Sequence, residues 1–299
     1  MVSDSLWIWL TLGAVGFQTL RNAMHRVAAA TLPVASATTV RFIFALPFAA
    51  AFFAAVLAGT GRPPLAPTPG FVGFVILGAV VQTLGSGLML LAMRERSFVV
   101  TIALTKTEPI QVALFGFVLM GERVGLGDLA GAALACAGVL TLILATGHAA
   151  LGRTSVRPAL LGLAAGGLFG CAAVAYRAAM LSLPEGPFFV RASETLLAAL
   201  TLQAALMILW LRARQPGALS RMVSQWRLSL GVGGAGAIAS QMWFAAYALQ
   251  SATLVSILGL TEVIAANIAS ARYFREPPTR AEWTGIALLV AGVALALAD

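Results

Sequence analysis

The sequence has 299 residues, of which 60% are hydrophobic and only 10% are charged. A soluble domain carries about 25% charged residues, so a water-soluble fold is excluded and the apolar excess must face lipid. The net charge of +8 arises from eighteen Arg and one Lys against eleven acidic residues. Because these arginines lie in short clusters between apolar runs, they indicate membrane topology rather than nucleic-acid binding.

Ten apolar stretches of membrane-spanning length follow one another along the chain. A bilayer core about 30 Å thick requires roughly 20 apolar residues for each helical crossing. Breaks rich in proline and glycine separate several stretches, as at Gly61–Pro64, Pro184–Pro187 and Pro277–Pro278. The predicted spans are residues 5–26, 33–58, 70–92, 98–120, 126–146, 158–181, 187–211, 228–249, 252–273 and 281–298. The pattern therefore predicts an all-α polytopic membrane protein with ten transmembrane helices.

Arginine is distributed unequally between alternate loops. One set of loops holds thirteen arginines, namely Arg21, Arg26, Arg94, Arg96, Arg153, Arg157, Arg212, Arg214, Arg221, Arg227, Arg272, Arg275 and Arg280. The other set holds Arg62, Arg123 and Arg177. The positive-inside rule places the first set in the cytoplasm, so with an even number of helices both termini face outward. The high content of Ala, Gly and Arg suits a bacterial source, and we expect a multi-pass protein of the inner membrane.

The two halves of the chain match each other without a gap over a long stretch. At an offset of 154 residues, Ser97 matches Ser251, Glu108 matches Glu262, Glu122 matches Glu276, Asp128 matches Glu282, Gly131 matches Gly285 and Gly138 matches Gly292. This predicts two five-helix repeats, residues 1–150 and 151–299. Because each repeat has an odd number of helices, the second is inverted, as in many transporters whose substrate site lies between the repeats. A repeat kept only for packing is the alternative.

The matched positions also carry a family resemblance. The first copy reads Thr107-Glu108-Pro109, Gly121-Glu122-Arg123, Gly131 and Ala137-Gly138-Val139, and the second reads Thr261-Glu262, Arg275-Glu276, Gly285 and Ala291-Gly292-Val293. These motifs resemble the repeat of the drug/metabolite transporter superfamily, in its ten-helix EamA-type exporter branch, although Val263 stands where the first copy has Pro109. Within the superfamily the chain most resembles the YddG-type amino-acid exporters. That resemblance implies efflux of amino acids, aromatic ones included, through a cavity between the halves by alternating access.

Polar, aromatic and methionine side chains form stripes inside three of the predicted spans. Polar groups are costly in a bilayer, so their positions are informative. The candidate substrate-binding residues are Gln18 and Asn22 in the first span, Gln82, Ser86 and Met89 in the third, and Ser240, Trp243 and Tyr247 in the eighth. The third- and eighth-span stripes are related by the repeat and are predicted to face each other across one cavity. The alternative is hydrogen bonding between helices, or for the two aromatic residues an interfacial position.

Charged residues inside the predicted spans each require a partner or water. Arg41, Glu108 and Glu262 are predicted coupling or structural charges, and Lys106 is a candidate substrate ligand because its repeat counterpart is Leu260. Lys106 could pair with Glu108 or with a substrate carboxylate. Arg191 and Glu194 have the i, i+3 spacing of a local ion pair.

A cluster of glycines in the eighth span has the spacing of a dinucleotide-binding loop. Gly231, Gly233, Gly234 and Gly236 spell Gly-x-Gly-x-x-Gly, but no strand precedes them and the segment is apolar. Close helix packing is the better interpretation.

These features favour a transporter over the other classes of membrane protein. An intramembrane enzyme would need a nucleophile and base or a metal site, and the sequence has neither His-Glu-x-x-His nor Gly-x-Ser-x-Gly. The leading hypothesis is export of amino acids, possible alternatives being an anionic, sugar-phosphate-like metabolite carrier or a drug exporter of the same superfamily. We expect no cofactor, no metal, no nucleic-acid partner, a small-molecule substrate, a lipid bilayer and a functional monomer.

Overall fold

The computed structural model describes residues 2–31, 34–92, 98–146, 156–215, 217–265, 267 and 279–298. In these ranges the regular secondary structure is helical throughout, and each of the ten predicted spans is mostly helical over its described part. The predicted all-α polytopic fold is confirmed. Several residues used in the sequence analysis lie outside the described ranges, namely Arg94, Arg96, Ser97, Arg153, Arg272, Arg275, Glu276, Pro277 and Pro278.

Thirteen helices are assigned labels in chain order. They are α1 (Val2–Thr31), α2 (Val34–Ile43), α3 (Leu46–Thr60), α4 (Pro69–Ala92), α5 (Phe98–Thr105), α6 (Glu108–Met120), α7 (Leu126–Thr146), α8 (Val156–Ser182), α9 (Phe188–Arg214), α10 (Ala218–Ser224), α11 (Trp226–Leu249), α12 (Ala252–Gly259) and α13 (Arg280–Ala298). A further helical segment covers residues 262–265.

Within the described ranges, seven helical stretches are long and apolar enough to cross a membrane. They are Thr39–Thr60, Pro69–Met89, Thr101–Met120, Leu126–Ala145, Ala159–Ser182, Phe188–Arg214 and Arg280–Ala298, and a shorter apolar stretch covers Ala252–Ala265. The helices α1 and α11 have 30 and 24 residues, which is also sufficient length. Both helices carry predicted site residues.

Three predicted spans are broken rather than continuous. The second span breaks at Phe44–Ala45, with Pro47 in the first turn of α3, and the fourth breaks at Lys106–Thr107 with Pro109 in the first turn of α6. The ninth breaks at the repeat-related position, Leu260–Thr261, although no proline follows it. Broken helices leave backbone groups without helical partners, which proteins tolerate at membrane depth only where other groups satisfy them.

The repeat-matched residues near the fifth and tenth spans begin and end helices. The Gly125 N–H donates to the Asp128 carboxylate at the start of α7. At the start of α13 the Thr279 N–H donates to Glu282 over 2.6 Å and the Glu282 N–H donates back to the Thr279 hydroxyl over 3.3 Å, which is a capping box. The acidic residue conserved between the two copies, Asp128 and Glu282, is therefore explained by helix capping.

The end of α6 explains the glycine of the first-copy motif. Gly121 has φ +67°, and its N–H donates to the Phe117 carbonyl while the Glu122 N–H donates to the Gly116 carbonyl. The bond from Gly121 to Phe117 is that of an αL helix ending, which requires a left-handed residue and so favours glycine.

The helices α7 and α13 meet through the repeat-matched glycines. A Cβ placed on Gly138 would lie 2.6 Å from the Gly285 carbonyl oxygen, and one placed on Gly292 would lie 2.7 Å from the Gly131 carbonyl oxygen. Gly131 therefore meets Gly292 and Gly138 meets Gly285, which is a reciprocal contact between equivalent surfaces. Because residue numbers rise along one helix as they fall along the other, these two helices run antiparallel, as inverted repeats require.

The chain forms two compact units. Unit 1 comprises Met1–Val80 and Ala175–Leu249, and unit 2 comprises Val81–Val174 and Gln250–Asp299. Each unit thus contains helices from both halves of the sequence. The repeat boundary near residue 150 stays a prediction.

Candidate functional site

The twelve predicted site residues fall in equal numbers in the two units. Unit 1 contains Gln18, Asn22, Arg41, Ser240, Trp243 and Tyr247, and unit 2 contains Gln82, Ser86, Met89, Lys106, Glu108 and Glu262. The predicted facing of the third- and eighth-span stripes therefore concerns residues of different units and stays a prediction. Within each unit the contacts of the predicted residues are well defined.

In unit 1, glycines allow α1 and α11 to pack closely. The Met24 side chain occupies the position where a Cβ on Gly231 would lie, and Met242 does the same at Gly13. Gly233 lies against the Phe44 carbonyl, at the break between α2 and α3. The glycine cluster of the eighth span therefore packs helices, as predicted.

Trp243 connects the first and eighth spans. Its indole N–H donates to the Gln18 side-chain carbonyl over 3.1 Å, and its ring stacks on Tyr247 with centroids 5.9 Å apart and planes 22° apart. The structure thus brings together a residue of the first span and two residues of the eighth that the sequence analysis selected. Ser240 lies on the same helix with its side chain half-buried. Together these groups present an aromatic surface beside an amide.

A second aromatic group in unit 1 was missed by the sequence analysis. Tyr176 is buried, its ring lies 4.8 Å from Phe244, and its hydroxyl accepts a bond of 3.2 Å from the Gln203 amide. The neighbouring Arg177 was counted as a loop residue, but it lies in α8 and donates to the Tyr247 carbonyl over 2.6 Å. The available signal was that an arginine and a tyrosine lie inside an apolar stretch.

Arg41 lies beside these residues in unit 1. Its guanidinium is in electrostatic range of Arg21 and of Tyr176, and it is 4.8 Å from the centroid of the Phe42 ring. Among the described residues no carboxylate pairs with it. The Asn22 side-chain carbonyl accepts two bonds, of 3.3 and 2.9 Å, from the Arg21 guanidinium. A neutral amide oxygen therefore contacts the Arg21 guanidinium in this region.

The predicted Arg191–Glu194 ion pair is wrong. Glu194 instead accepts the Leu65 backbone N–H over 3.1 Å, which satisfies a backbone group in the loop before α4. Arg191 Nε is buried and has no hydrogen-bond partner within the described part of the chain. The i, i+3 spacing allows a pair but does not require one, because a buried backbone donor competes for the same carboxylate.

In unit 2, Lys106 and Glu262 form an ion pair. The distance from Lys106 Nζ to Glu262 Oε2 is 3.0 Å, with the side chains 26% and 12% exposed. Lys106 therefore pairs with the glutamate of the second repeat, whereas the sequence suggested Glu108 or a substrate. Glu108 lies in electrostatic range of both residues. The carboxylates of Glu108 and Glu262 and the ammonium group of Lys106 therefore form one charged group in unit 2.

The same local bond stabilises both helix breaks in unit 2. The Thr107 hydroxyl donates to the Leu104 carbonyl over 2.7 Å, and the Thr261 hydroxyl donates to the Leu258 carbonyl over 2.7 Å. Glu108 and Glu262 follow these threonines directly. The repeat-related Thr-Glu pair thus adds a hydroxyl bond to a carbonyl that also accepts the backbone N–H of the same threonine, and it places a carboxylate at the start of the next helical segment, where the helix dipole favours negative charge.

The third-span stripe packs within unit 2. The Ser86 hydroxyl donates to the Gln82 backbone carbonyl over 2.9 Å, and Met89 Sδ lies 3.5 Å from the Thr105 hydroxyl. Ser86 is 6% exposed. Its hydroxyl is therefore engaged within its own helix, and Gln82 and Met89 are the half-buried members of the stripe.

Comparison with known proteins agrees with this architecture. The sequence matches the model of the EamA-like transporter family twice, at residues 5–144 and at residues 156–298. No curated protein matches the chain in sequence. One solved crystal structure of a protein shares the fold with a TM-score of 0.73 and 19% sequence identity, covering 98% of this chain and 96% of the other. At that identity the similarity shows the fold alone.

Proposed function

This chain belongs to the EamA-like transporter family of the drug/metabolite transporter superfamily, and on that premise we propose that it exports neutral amino acids, aromatic ones included, by alternating access. As a member of this family, the chain is a multi-pass membrane transporter. The family consists of transporters rather than enzymes. The amino-acid substrate, and a functional likeness to the YddG-type exporters, are the proposal.

The single observation that carries the proposal is the Gln18–Trp243–Tyr247 group of unit 1. Two stacked rings provide an apolar, polarisable surface for a substrate side chain, and the amide beside them can bind an ammonium or carboxylate without adding fixed charge. The cationic side of the same unit includes Arg41, which has no carboxylate partner among the described residues and suits the α-carboxylate of an amino acid.

The charges of unit 2 bear on the alternatives. A carrier of doubly charged metabolites such as sugar phosphates would be expected to use both Arg41 and Lys106, but Lys106 is neutralised by Glu262. An exporter of cationic drugs would be expected to offer carboxylates to the substrate, and Glu262 is engaged by Lys106. Arg41 alone supports the anionic-metabolite alternative, which the experiment below includes.

The test is efflux from proteoliposomes loaded with amino acids, a sugar phosphate or a cationic dye. We expect efflux of neutral amino acids, and Trp243→Ala should lower efflux of phenylalanine about two- to tenfold relative to alanine, since aromatic pairs contribute roughly 0.5–1.5 kcal/mol. Trp210→Ala is the control, because Trp210 is 42% exposed on α9. A folded protein that moves no amino acid would refute the proposal, and transport of the sugar phosphate alone would establish the anionic alternative.

The remaining expectations concern the cellular setting. We propose the bacterial inner membrane, both termini outside, a small-molecule substrate and a functional monomer. The distribution of arginines supports the orientation. Reporter fusions at both termini test this orientation. A cytoplasmic C-terminus would show that the proposed orientation is inverted.

A further inference from the structure

Four exposed arginines surround the turn between α9 and α11. Arg212 and Arg214 end α9, Arg221 lies in α10 and Arg227 lies in the first turn of α11. We call these four residues the arginine surface. Between Glu194 and Glu262 the sequence has no acidic residue, and no described carboxylate pairs with any of the four. The surface is therefore a concentration of positive charge that no carboxylate in the described part of the chain neutralises.

The short helix α10 is held firmly in unit 1. Ala218 and Met222 are 0% and 1% exposed and pack in a cluster with Val40, Leu211 and Val232. The opposite side of the turn exposes apolar groups, with Val223 62% and Trp226 51% exposed. Buried anchors on one side and exposed apolar groups on the other give the turn an amphipathic character.

Trp226 and Arg227 are both exposed and contact each other. The Arg227 guanidinium carbon lies 5.4 Å from the centroid of the Trp226 ring, within the range of a cation–π contact. Tryptophan is enriched at membrane–water interfaces, where its ring lies at the depth of the lipid headgroups. The apolar stretch Phe188–Arg214 ends at the first two arginines, so the surface begins where the hydrocarbon-spanning helix ends.

We propose that the arginine surface binds the phosphate headgroups of anionic phospholipids. Guanidinium groups pair with phosphate oxygens through two parallel hydrogen bonds, and basic residues at a membrane surface attract anionic lipid. The exposed Val223 and Trp226 provide contact with acyl chains, which a soluble polyanion would leave unused. Two other exposed arginines lack this setting, since Arg123 follows Glu122 directly and Arg62 lies among loop prolines.

The test uses purified full-length protein in mixed micelles, with bound lipid counted by native mass spectrometry. Phosphatidylglycerol and phosphatidylcholine with the same acyl chains compete for the protein. A basic residue near an anionic surface contributes about 1 kcal/mol, or roughly fivefold, so R221Q/R227Q should lower the preference for phosphatidylglycerol about 25-fold. The matched control, R62Q/R123Q, removes two exposed arginines elsewhere and should retain the preference. R221K/R227K, which keeps the charge, should retain most of it.

Each other outcome counts against the proposal. Equal losses in R221Q/R227Q and the control would show a general effect of net charge, and unchanged preference in R221Q/R227Q would remove the site. Displacement of the lipid by millimolar inorganic phosphate, with no effect of acyl chains, would make the surface a site for free anions instead. Because the measurement involves no transport, its result is independent of the proposed substrate.

Discussion

Replacing Gly138 with alanine should separate α7 from α13. The new Cβ would lie 2.6 Å from the Gly285 carbonyl oxygen and 2.9 Å from the Leu289 Cα. Both are backbone atoms, so relief requires movement of a whole helix rather than a change of rotamer. Overpacking of this kind costs typically about 1–3 kcal/mol, while glycine-to-alanine in a helix otherwise gains about 0.5–1 kcal/mol. The expected net effect is therefore a loss of about 1–2 kcal/mol.

The matched control is Gly73→Ala in α4. Gly73 is exposed, and a Cβ placed there would meet nothing within 4 Å. This substitution should stabilise the protein by up to about 1 kcal/mol. Equilibrium unfolding in mixed micelles with dodecyl sulfate, followed by circular dichroism, measures both variants. The same sign for the two changes would refute the packing argument, and Gly292→Ala should match Gly138→Ala because the contact is reciprocal.

Two further predictions concern the charged group and the helix breaks of unit 2. Lys106→Met should lower the free energy of unfolding by about 2–3 kcal/mol, because removing one partner leaves a buried carboxylate uncompensated. Combining it with Glu262→Gln should recover most of that loss, and a double-mutant cycle with no coupling energy would contradict the ion pair. Thr261→Val should cost about 1 kcal/mol by removing the bond to the Leu258 carbonyl, whereas Thr261→Ser should not. Thr141→Val on the exposed face of α7 is the control, and an equal effect there would exclude a special role for the break.

Much of the fold follows from local sequence features. Apolar stretches about as long as the bilayer is thick define the spans, and Pro47 and Pro109 lie where two of them break. The single-offset match predicted a duplication, and the capping of α7 by Asp128 and of α13 by Glu282 explains one of its matched pairs. Helix length, capping and breaking depend on residues within about one turn of each other. These features can therefore be predicted from the sequence.

The ninth span shows the limit of local reasoning. No proline follows its break, so the apolar pattern predicted one continuous helix, and the bond from Thr261 to Leu258 has no distinct sequence signature. The predicted Arg191–Glu194 ion pair was wrong for a related reason, because it was inferred from sequence spacing alone. In the structure the Glu194 carboxylate instead accepts a bond from the Leu65 N–H, which lies in a loop 129 residues away in the sequence.

The sequence by itself determined that this protein is a helical membrane protein with a duplicated transporter motif, because hydropathy and repetition are properties of the chain. Only the tertiary structure decided which of its polar residues meet. Lys106 reaches Glu262 across 156 residues and Trp243 reaches Gln18 across 225. Lys106 and Trp243 each had several polar residues inside the spans as candidate partners. Which partner each one contacts depends on how glycine-lined helices pack, and local sequence patterns do not predict that packing.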